Sequence, residues 1–363
     1  MIDSTYNQYP GAAAFADGNF VAPEDAKVSL FDWGFTRSDA TYDVASVWKG
    51  AFFRLDDHLD RFFASLGKLR LQVPYTRAEV RKILHGCVRA AGLRDAYVAM
   101  VCTRGVPPRG ARDPRLATNR FYAYALPFVW IAPPEKQRAG IDLHVSARHR
   151  IAPEAVDPTV KNYNWLDLVQ SLFDAYDRGR DTSCVVDAAG NLTEGPGFNL
   201  FVIQDGVVRT PDRGVLEGVS RRTAIELCAQ LGIPLRIEAV PAKDLERCDE
   251  VFLTSSGGGI LPIAKVDGRA LQKFPGPISM RLQDAYWALH DEPRHRDPVD
   301  YRNWSVRARC GTPLARRCSR RHGGGRSRRP RKSRPAARRQ AHGGRSRAPP
   351  TARRSAVRRG PRS

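Results

Sequence analysis

Apolar positions along the chain alternate between a two-residue and a three-to-four-residue spacing, and their order predicts sheets flanked by helices. Residues 28–31 are predicted as a short strand. Residues 45–48 and 51–55 flank a Lys49-Gly50 turn as a hairpin. Over 58–69, Leu59, Phe62, Phe63, Leu66 and Leu69 fall on one helical face, and a second helix over 77–91 stops at Gly92. Strands at 97–102 and 120–126 enclose a polar loop rich in Pro and Arg, long enough to suggest a functional or mobile segment. Residues 127–134 read as a link into a second half.

There the pattern predicts a helix with a stripe of Trp165, Leu168, Val169, Leu172, Phe173 and Tyr176. A β-meander follows over 184–187, 199–203 and 207–210, turning at Gly190-Asn191 and Gln204-Asp-Gly206. A helix starts at Gly218 and runs to about Leu231. Strands at 250–254 and 260–266 then enclose Ser255-Ser-Gly-Gly-Gly259. No repeat or heptad is visible. The expected class is α+β, with a small N-terminal domain (1–127), a linker (128–135), a large C-terminal domain (136–304) and a tail (305–363).

Charge sharpens that division. The 363 residues carry a formal +21, but 21 of the 59 Lys and Arg fall in 305–363, which has no Asp or Glu. Residues 1–304 balance 38 basic against 38 acidic residues, so a chain-wide cationic surface is excluded. The tail, built of Arg, Gly, Pro, Ala and Ser, is expected to be disordered. It invites a reading as a non-specific nucleic-acid arm, but lacks interleaved aromatics for base stacking. A frameshift in GC-rich DNA explains its composition better, in line with the preference for Arg over Lys in the rest of the chain. The seven cysteines form no C-x-x-C pair and most lie in apolar stretches, which predicts buried free thiols in a reducing compartment. Met1 to Asn19 has no basic patch leading into an apolar run, and no apolar stretch is long enough to span a bilayer. The expectation is a cytoplasmic protein without a membrane partner.

Four features invite chemistry, each with a plainer structural reading. Lys161, in Pro158-Thr-Val-Lys-Asn-Tyr-Asn-Trp, stands among hydrophobic groups where a depressed pKa would make it a Schiff-base nucleophile; alternatively its stem packs and its ammonium reaches water. Gly218-Val-Ser-Arg-Arg at a helix start is either an anion site or an ordinary cap. Ser255-Ser-Gly-Gly-Gly is a phosphate cradle without a Walker lysine, or a flexible turn. Glu194, in a glycine-rich loop, pairs with a cationic heterocycle or faces solvent. There is no G-x-S-x-G elbow and no H-E-x-x-H. His144/His149 and His290/His295 are spaced five apart, off a common helix face, so no metal is expected.

Taken in order, His58-Leu-Asp-Arg61, the Lys161 segment, Leu192-Thr-Glu-Gly-Pro-Gly-Phe-Asn199, Leu216-Glu-Gly-Val-Ser220 and Thr254-Ser-Ser-Gly-Gly resemble the fold type IV pyridoxal-phosphate enzymes, the class IV aminotransferases. The resemblance covers about residues 15–300 and implies a two-domain fold of the D-amino-acid and branched-chain aminotransferase kind. It implies that Lys161 binds pyridoxal 5′-phosphate covalently and shuttles the substrate proton, and that Glu194 faces the pyridine nitrogen. Arg61, Val219, Ser220, Ser255 and Ser256 would hold the phosphate, the two serines standing where the family often has threonine. The stretches 31–58 and 161–169 are similar to the (R)-selective amine transaminases. That similarity implies an amine-to-keto-acid reaction, for instance with pyruvate. It also implies a pocket lined by Tyr42, Val44, Tyr97 and Trp165, with Arg37 near the entrance. Arg109 in the long loop, with Arg112 in reserve, is expected to swing in for the keto-acid carboxylate. The resemblance further implies a homodimer with active sites at the subunit interface. Within the family the alternatives are D-amino-acid or branched-chain aminotransferases, or an aminodeoxychorismate lyase performing elimination. Outside it stands nucleic-acid binding through the tail.

Overall fold

The computed structural model describes residues 11–302. The basic tail, and with it the expectation of disorder and Cys310 and Cys318, lies outside the described residues. Two antiparallel-rich sheets carry the fold. The first has seven strands, in spatial order Arg296–Pro298, Ala51–Phe53, Ala40–Trp48, Ala96–Val106, Thr118–Pro127, Ala13–Ala16 and Asn19–Val21. The second has nine. Its main path runs Leu235–Ile237, Val207–Thr210, Phe198–Gln204, Glu250–Ser255, Gly259–Val266, Ile141–His149 and Thr182–Val186, with Glu194–Gly195 and Arg269–Ala270 paired beside it. Seven helices complete the set: α1 (Trp33–Arg37), α2 (Leu55–Leu69), α3 (Arg77–Ala91), α4 (Pro134–Ala139), α5 (Leu166–Tyr176), α6 (Val219–Gln230) and α7 (Pro277–Ala288).

Strand alternation in the first sheet separates core from site. Side chains of successive residues point to opposite faces. Ala45, Val47, Val98, Met100, Cys102, Phe121, Ala123 and Ala125 pack with Leu59, Phe62 and Leu66 of α2 and Val80, Leu84 and Val88 of α3. The intervening residues, Tyr42, Val44, Ala99 and Val101, form a separate cluster on the other face with Tyr97, Tyr122, Tyr124 and Trp165. Cross-strand register lines these up, since Val44 is paired with Ala99, and Ala99 with Tyr124. The second sheet is backed by α6 and α7, whose Leu227 and Leu282 pack on Phe201 and Phe252.

Local chemistry sets the element ends. At α3 the Thr76 side chain accepts from the Glu79 N–H while Glu79 returns a bond to the Thr76 N–H, a complete capping box, and Gly92 closes the helix at positive φ. Thr76→Ala should therefore cost about 1 kcal/mol, read as a lower urea midpoint with unchanged slope. An unchanged midpoint would show that the box contributes nothing.

The structure adds to or departs from the sequence pattern in four places. Residues 28–31 are not a strand. Leu30 is 73% and Phe31 76% exposed, and with no neighbouring strand the apolar run has nothing to pair with. The stripe on α5 does not point inward as a whole, because Leu168, Ser171 and Ala175 face the protein while Val169, Phe173 and Tyr176 are exposed with Leu166. The meander is only a hairpin of 198–204 with 207–210, since Thr182–Val186 lies at the far edge of the sheet beside Ile141–His149. Finally, Arg296–Pro298 returns to the first sheet and pairs with Ala51–Phe53, so the chain does not divide linearly at 136–304. The five cysteines among the described residues are buried and unpaired. Among those residues no helix is long and apolar enough to cross a membrane.

Candidate active site

A cavity of about 430 Å³ is bordered by the tyrosine face of the first sheet, residues 158–165, the Glu194–Asn199 turn, the start of α6 and the Ser255–Gly257 turn. Lys161, Arg61, Glu194, Val219, Ser220, Ser255, Ser256, Tyr42, Val44, Tyr97 and Trp165 all line it.

Lys161 is held there by backbone. Ala51–Phe53 pairs with only Val47 and Trp48 of Ala40–Trp48, which leaves the earlier part of that strand's edge open. The Lys161 segment covers it, for the Lys161 carbonyl accepts from the Tyr42 N–H at 3.1 Å and the Thr41 hydroxyl at 2.8 Å. Asn162 stiffens the loop. Its amide donates to the Val160 carbonyl and accepts from the Asn164 N–H, and its carbonyl accepts from the Trp165 indole at 3.1 Å. The lysine Nζ then sits 4.6 Å from the centroid of the Tyr42 ring, which stacks on Tyr163 at 4.4 Å. Burial, with the nearby Arg61 charge, lowers the amine's pKa to about 8, against partial support from Asp43 and Glu194.

One group of residues lining the cavity suits an anion. Arg61, three residues after His58 on α2, donates Nε to Asp43 at 2.7 Å and Nη2 to the same carboxylate at 2.8 Å. Its Nη1 reaches the Glu217 carbonyl at 3.0 Å. His58 Nδ1 lies 2.8 Å from Asp43. Burial opposes ionisation of Asp43, yet Arg61 and His58 together hold it well below the ordinary carboxylate range. Opposite stands the start of α6, where Gly218 supplies no side-chain cap and the first-turn N–H groups of the helix lack intrahelical partners. Glycine is needed at that cap, since a Cβ would come within 2.2 Å of Asn199 Oδ1, and the Asn199 amide in turn holds the Leu216 carbonyl. α2 and α6 are tied by Arg54, which donates to Thr223 at 2.8 Å and Glu226 at 2.6 Å, and by Arg222 to Asp57 at 2.7 Å.

Glu194 is buried and accepts from the Leu216 N–H at 2.9 Å and from Arg150 Nε at 3.2 Å. Burial raises its pKa in spite of Arg150, Leu216 and Lys161. Ser255, which lines the cavity, is also engaged within the protein. Its hydroxyl donates to the Gly197 carbonyl and accepts from the Gly257 N–H, clipping the two turns together, so its proton is already spent. Ser256 is the less buried of the pair.

Arg37 and Arg109 are not brought to this cavity. Arg37 lies over the Trp33 ring at 3.6 Å, and Arg109 is exposed in the loop after Val106. Sequence reasoning passed over Asp43, Arg150, Asn199 and Tyr124. Asp43 carried a usable signal, being a lone acid on the helix-facing side of a buried apolar strand, where a charge needs a partner. Among the described residues no His, Cys, Asp and Glu cluster suits a metal.

Comparison with known proteins agrees with this geometry. The sequence profile of the amino-transferase class IV family matches residues 40–266. A putative branched-chain-amino-acid aminotransferase of Methanocaldococcus jannaschii is 31% identical over 275 residues, 75% of this chain and 94% of that one. The D-alanine aminotransferase of Bacillus licheniformis is 26% identical over 272 residues, 74% of this chain and 94% of that one. Among solved structures, the branched-chain aminotransferase of the thermophilic archaeon Thermoproteus uzoniensis with norvaline superposes with a TM-score of 0.73 at 30% identity, covering 79% of this chain and 99% of that one.

Proposed function

The chain belongs to the class IV aminotransferases, and from that premise we propose that it moves the amino group of an (R)-configured primary amine to a keto acid such as pyruvate. The family works with pyridoxal 5′-phosphate, and the donor set fits that group. Arg61, the uncapped start of α6 at Val219 and Ser220, and Ser256 suit the phosphate. Glu194 suits a protonated ring nitrogen, and Lys161 lines the same cavity with a depressed pKa. Bound there, the cofactor supplies a carbonyl for the amino group and a ring that accepts the electrons left when the substrate Cα proton departs.

The protein's own part is binding and proton handling. Lys161 is the group that takes the Cα proton and returns it on the product side, and a pKa near the working pH suits an amine that must do both. Glu194 holds positive charge on the ring nitrogen, and burial strengthens that attraction because little water competes for it. Tyr42, with Tyr163 stacked behind it, walls the lysine on one side and limits the water that can reach it.

The donor reading rests on one observation. Among the described residues the guanidinium groups lining the cavity are those of Arg61, assigned above to the phosphate, and Arg150, held between Glu194 and Asp167, which leaves neither for a substrate carboxylate. The remaining walls are Tyr42, Tyr97, Tyr124, Val44, Leu126 and Ile131, which favour a donor with an apolar or aromatic substituent in place of a carboxylate. With pyruvate as acceptor, (R)-1-phenylethylamine should be turned over to acetophenone, and the (S) amine at least roughly a hundredfold more slowly. Failure of both, with turnover of D-alanine or leucine, would replace this reading with the D-amino-acid or branched-chain one that the relatives' names favour.

The reading includes a homodimer. Exposed apolar residues at Leu30, Phe31 and Phe35, and along α5 at Leu166, Phe173 and Tyr176, support an association surface. Such an assembly would give Arg37 and Arg109, outside the cavity of their own chain, a neighbouring cavity in which to meet the keto-acid carboxylate.

A further inference from the structure

Behind Glu194 lies a row of three charges, of which the proton chemistry above uses only Glu194. Arg150, just past the strand Ile141–His149, gives Nε to Glu194 at 3.2 Å and Nη1 to Asp167 Oδ2 at 2.7 Å. Asp167 sits in the first turn of α5, where Oδ2 also accepts from the Ile151 N–H at 2.9 Å and Oδ1 from the Leu168 N–H at 2.8 Å. The side chains of Arg150, Asp167 and Glu194 are only 8%, 10% and 8% exposed, so their charges are weakly screened and each alters its neighbour's field.

We propose that Asp167 is a positioning residue that, acting through Arg150, sets how strongly Glu194 attracts the protonated ring nitrogen of the cofactor. The inference rests on the reading that the ring nitrogen meets Glu194. Arg150 and Glu194 alone would sum to zero charge, and much of the carboxylate's pull on a further cation would be cancelled. Asp167 returns the row to a net negative charge. It also holds the guanidinium by the shorter bond, which leaves Glu194 with a single, longer contact from Nε. Two backbone donors fix the Asp167 carboxylate in place, so the arrangement is built in.

The test compares equilibrium binding of two ligands to the apoenzyme: pyridoxal 5′-phosphate and its 1-deaza analogue, in which C–H replaces the ring nitrogen. The ratio of the two dissociation constants isolates the contribution of that nitrogen, because phosphate, lysine and shape are shared. Asp167→Asn, which can still accept from Ile151, should cut the preference for the parent cofactor about tenfold. Adding Arg150→Gln to it should restore the preference, because the row again carries one negative charge, on Glu194. Arg150→Gln alone should raise the preference above that of the wild type, and it decides the matter if Asp167→Asn binds neither ligand. A structural role would weaken both ligands together and leave the ratio unmoved, and that result overturns the inference, as does a double variant that fails to recover. Glu194→Leu is the control for the premise. If the ratio ignores Glu194→Leu, the placement of the nitrogen is wrong and the inference falls with it; if it responds to Glu194→Leu but not to Asp167→Asn, the inference alone fails.

Discussion

Lys161→Ala is expected to lower turnover with any amine donor by about 10⁴-fold or more, with the fold and the melting temperature of the apoprotein little changed. The backbone groups that fix the segment, the Lys161 carbonyl with Thr41 and Tyr42, survive the substitution, so the loss would be chemical. Lys161→Arg should fare no better. It keeps charge and length, but a guanidinium does not give up its proton in a protein, and a group that must alternate between base and acid is then missing. Turnover within a factor of about a hundred of the parent in either variant would move the proton transfer to another residue. The same lysine carries a pH prediction. Burial and the Arg61 charge depress its pKa to about 8, so the free amine becomes abundant as pH rises through 8. In the apoprotein, labelling of Lys161 by an amine-directed acylating reagent, followed on its peptide by mass spectrometry, should rise with a midpoint near that value. A midpoint at the ordinary lysine value would mean that the cavity leaves the amine as free as water does.

Elements whose residues settle their own geometry were legible before the fold was known. The Lys49-Gly50 hairpin, α3 from Thr76 to Gly92 and the helix after Gly218 depend on turn and cap chemistry within a few residues, and the structure has each close to its expected place. Elements that depend on remote partners were not. Ile141–His149 went unseen because its buried Asp142 and His144 interrupt the apolar pattern. They are tolerated because Arg180 and the Gly268 N–H bond Asp142 and Asp267 bonds His144, all far along the chain. Residues 28–31 failed in the opposite sense, apolar in pattern yet without a partner strand.

The site divides in the same way. Lys161, Glu194 and the Gly218-Val-Ser start of α6 stand out because each has a local peculiarity, such as a lysine among hydrophobic groups, an acid in a glycine-rich loop or a glycine at a helix start. Asp43, Arg150 and Asp167 have none beyond being charged. Their significance arises from three-dimensional pairings between residues 43 and 61, 150 and 194, and 150 and 167. The bond between the Ser255 hydroxyl and Gly197, a residue 58 positions away, was invisible for the same reason.

The pairing of Asp43 with Arg61 carries the other large effect. Asp43 is fully buried and the Arg61 side chain is 12% exposed, so Asp43→Asn strands a guanidinium in a poorly solvated place. The apoprotein should lose about 3–5 kcal/mol, the usual cost of breaking a buried pair from one side. If Arg61 faces the cofactor phosphate, a dianion can take over part of the lost compensation, and the loss should be clearly smaller when pyridoxal 5′-phosphate is bound. Urea denaturation of both forms measures the difference, and an equal loss in each would separate Arg61 from the phosphate. The double variant Asp43→Asn/Arg61→Met should recover much of the apoprotein's stability while binding the cofactor poorly, because removing both charges removes the uncompensated one as well. The pH dependence has a definite sign. The folded pKa of Asp43 lies below its unfolded value, so its contribution is complete at neutral pH, above the ordinary carboxylate range, and drains away as acid protonates it. Wild type and Asp43→Asn should therefore differ most at neutral pH and converge as the pH falls below about 4. A gap that stayed constant into acid would mean that the aspartate acts through its shape, and the charge balance drawn here for Arg61 would have to be given up.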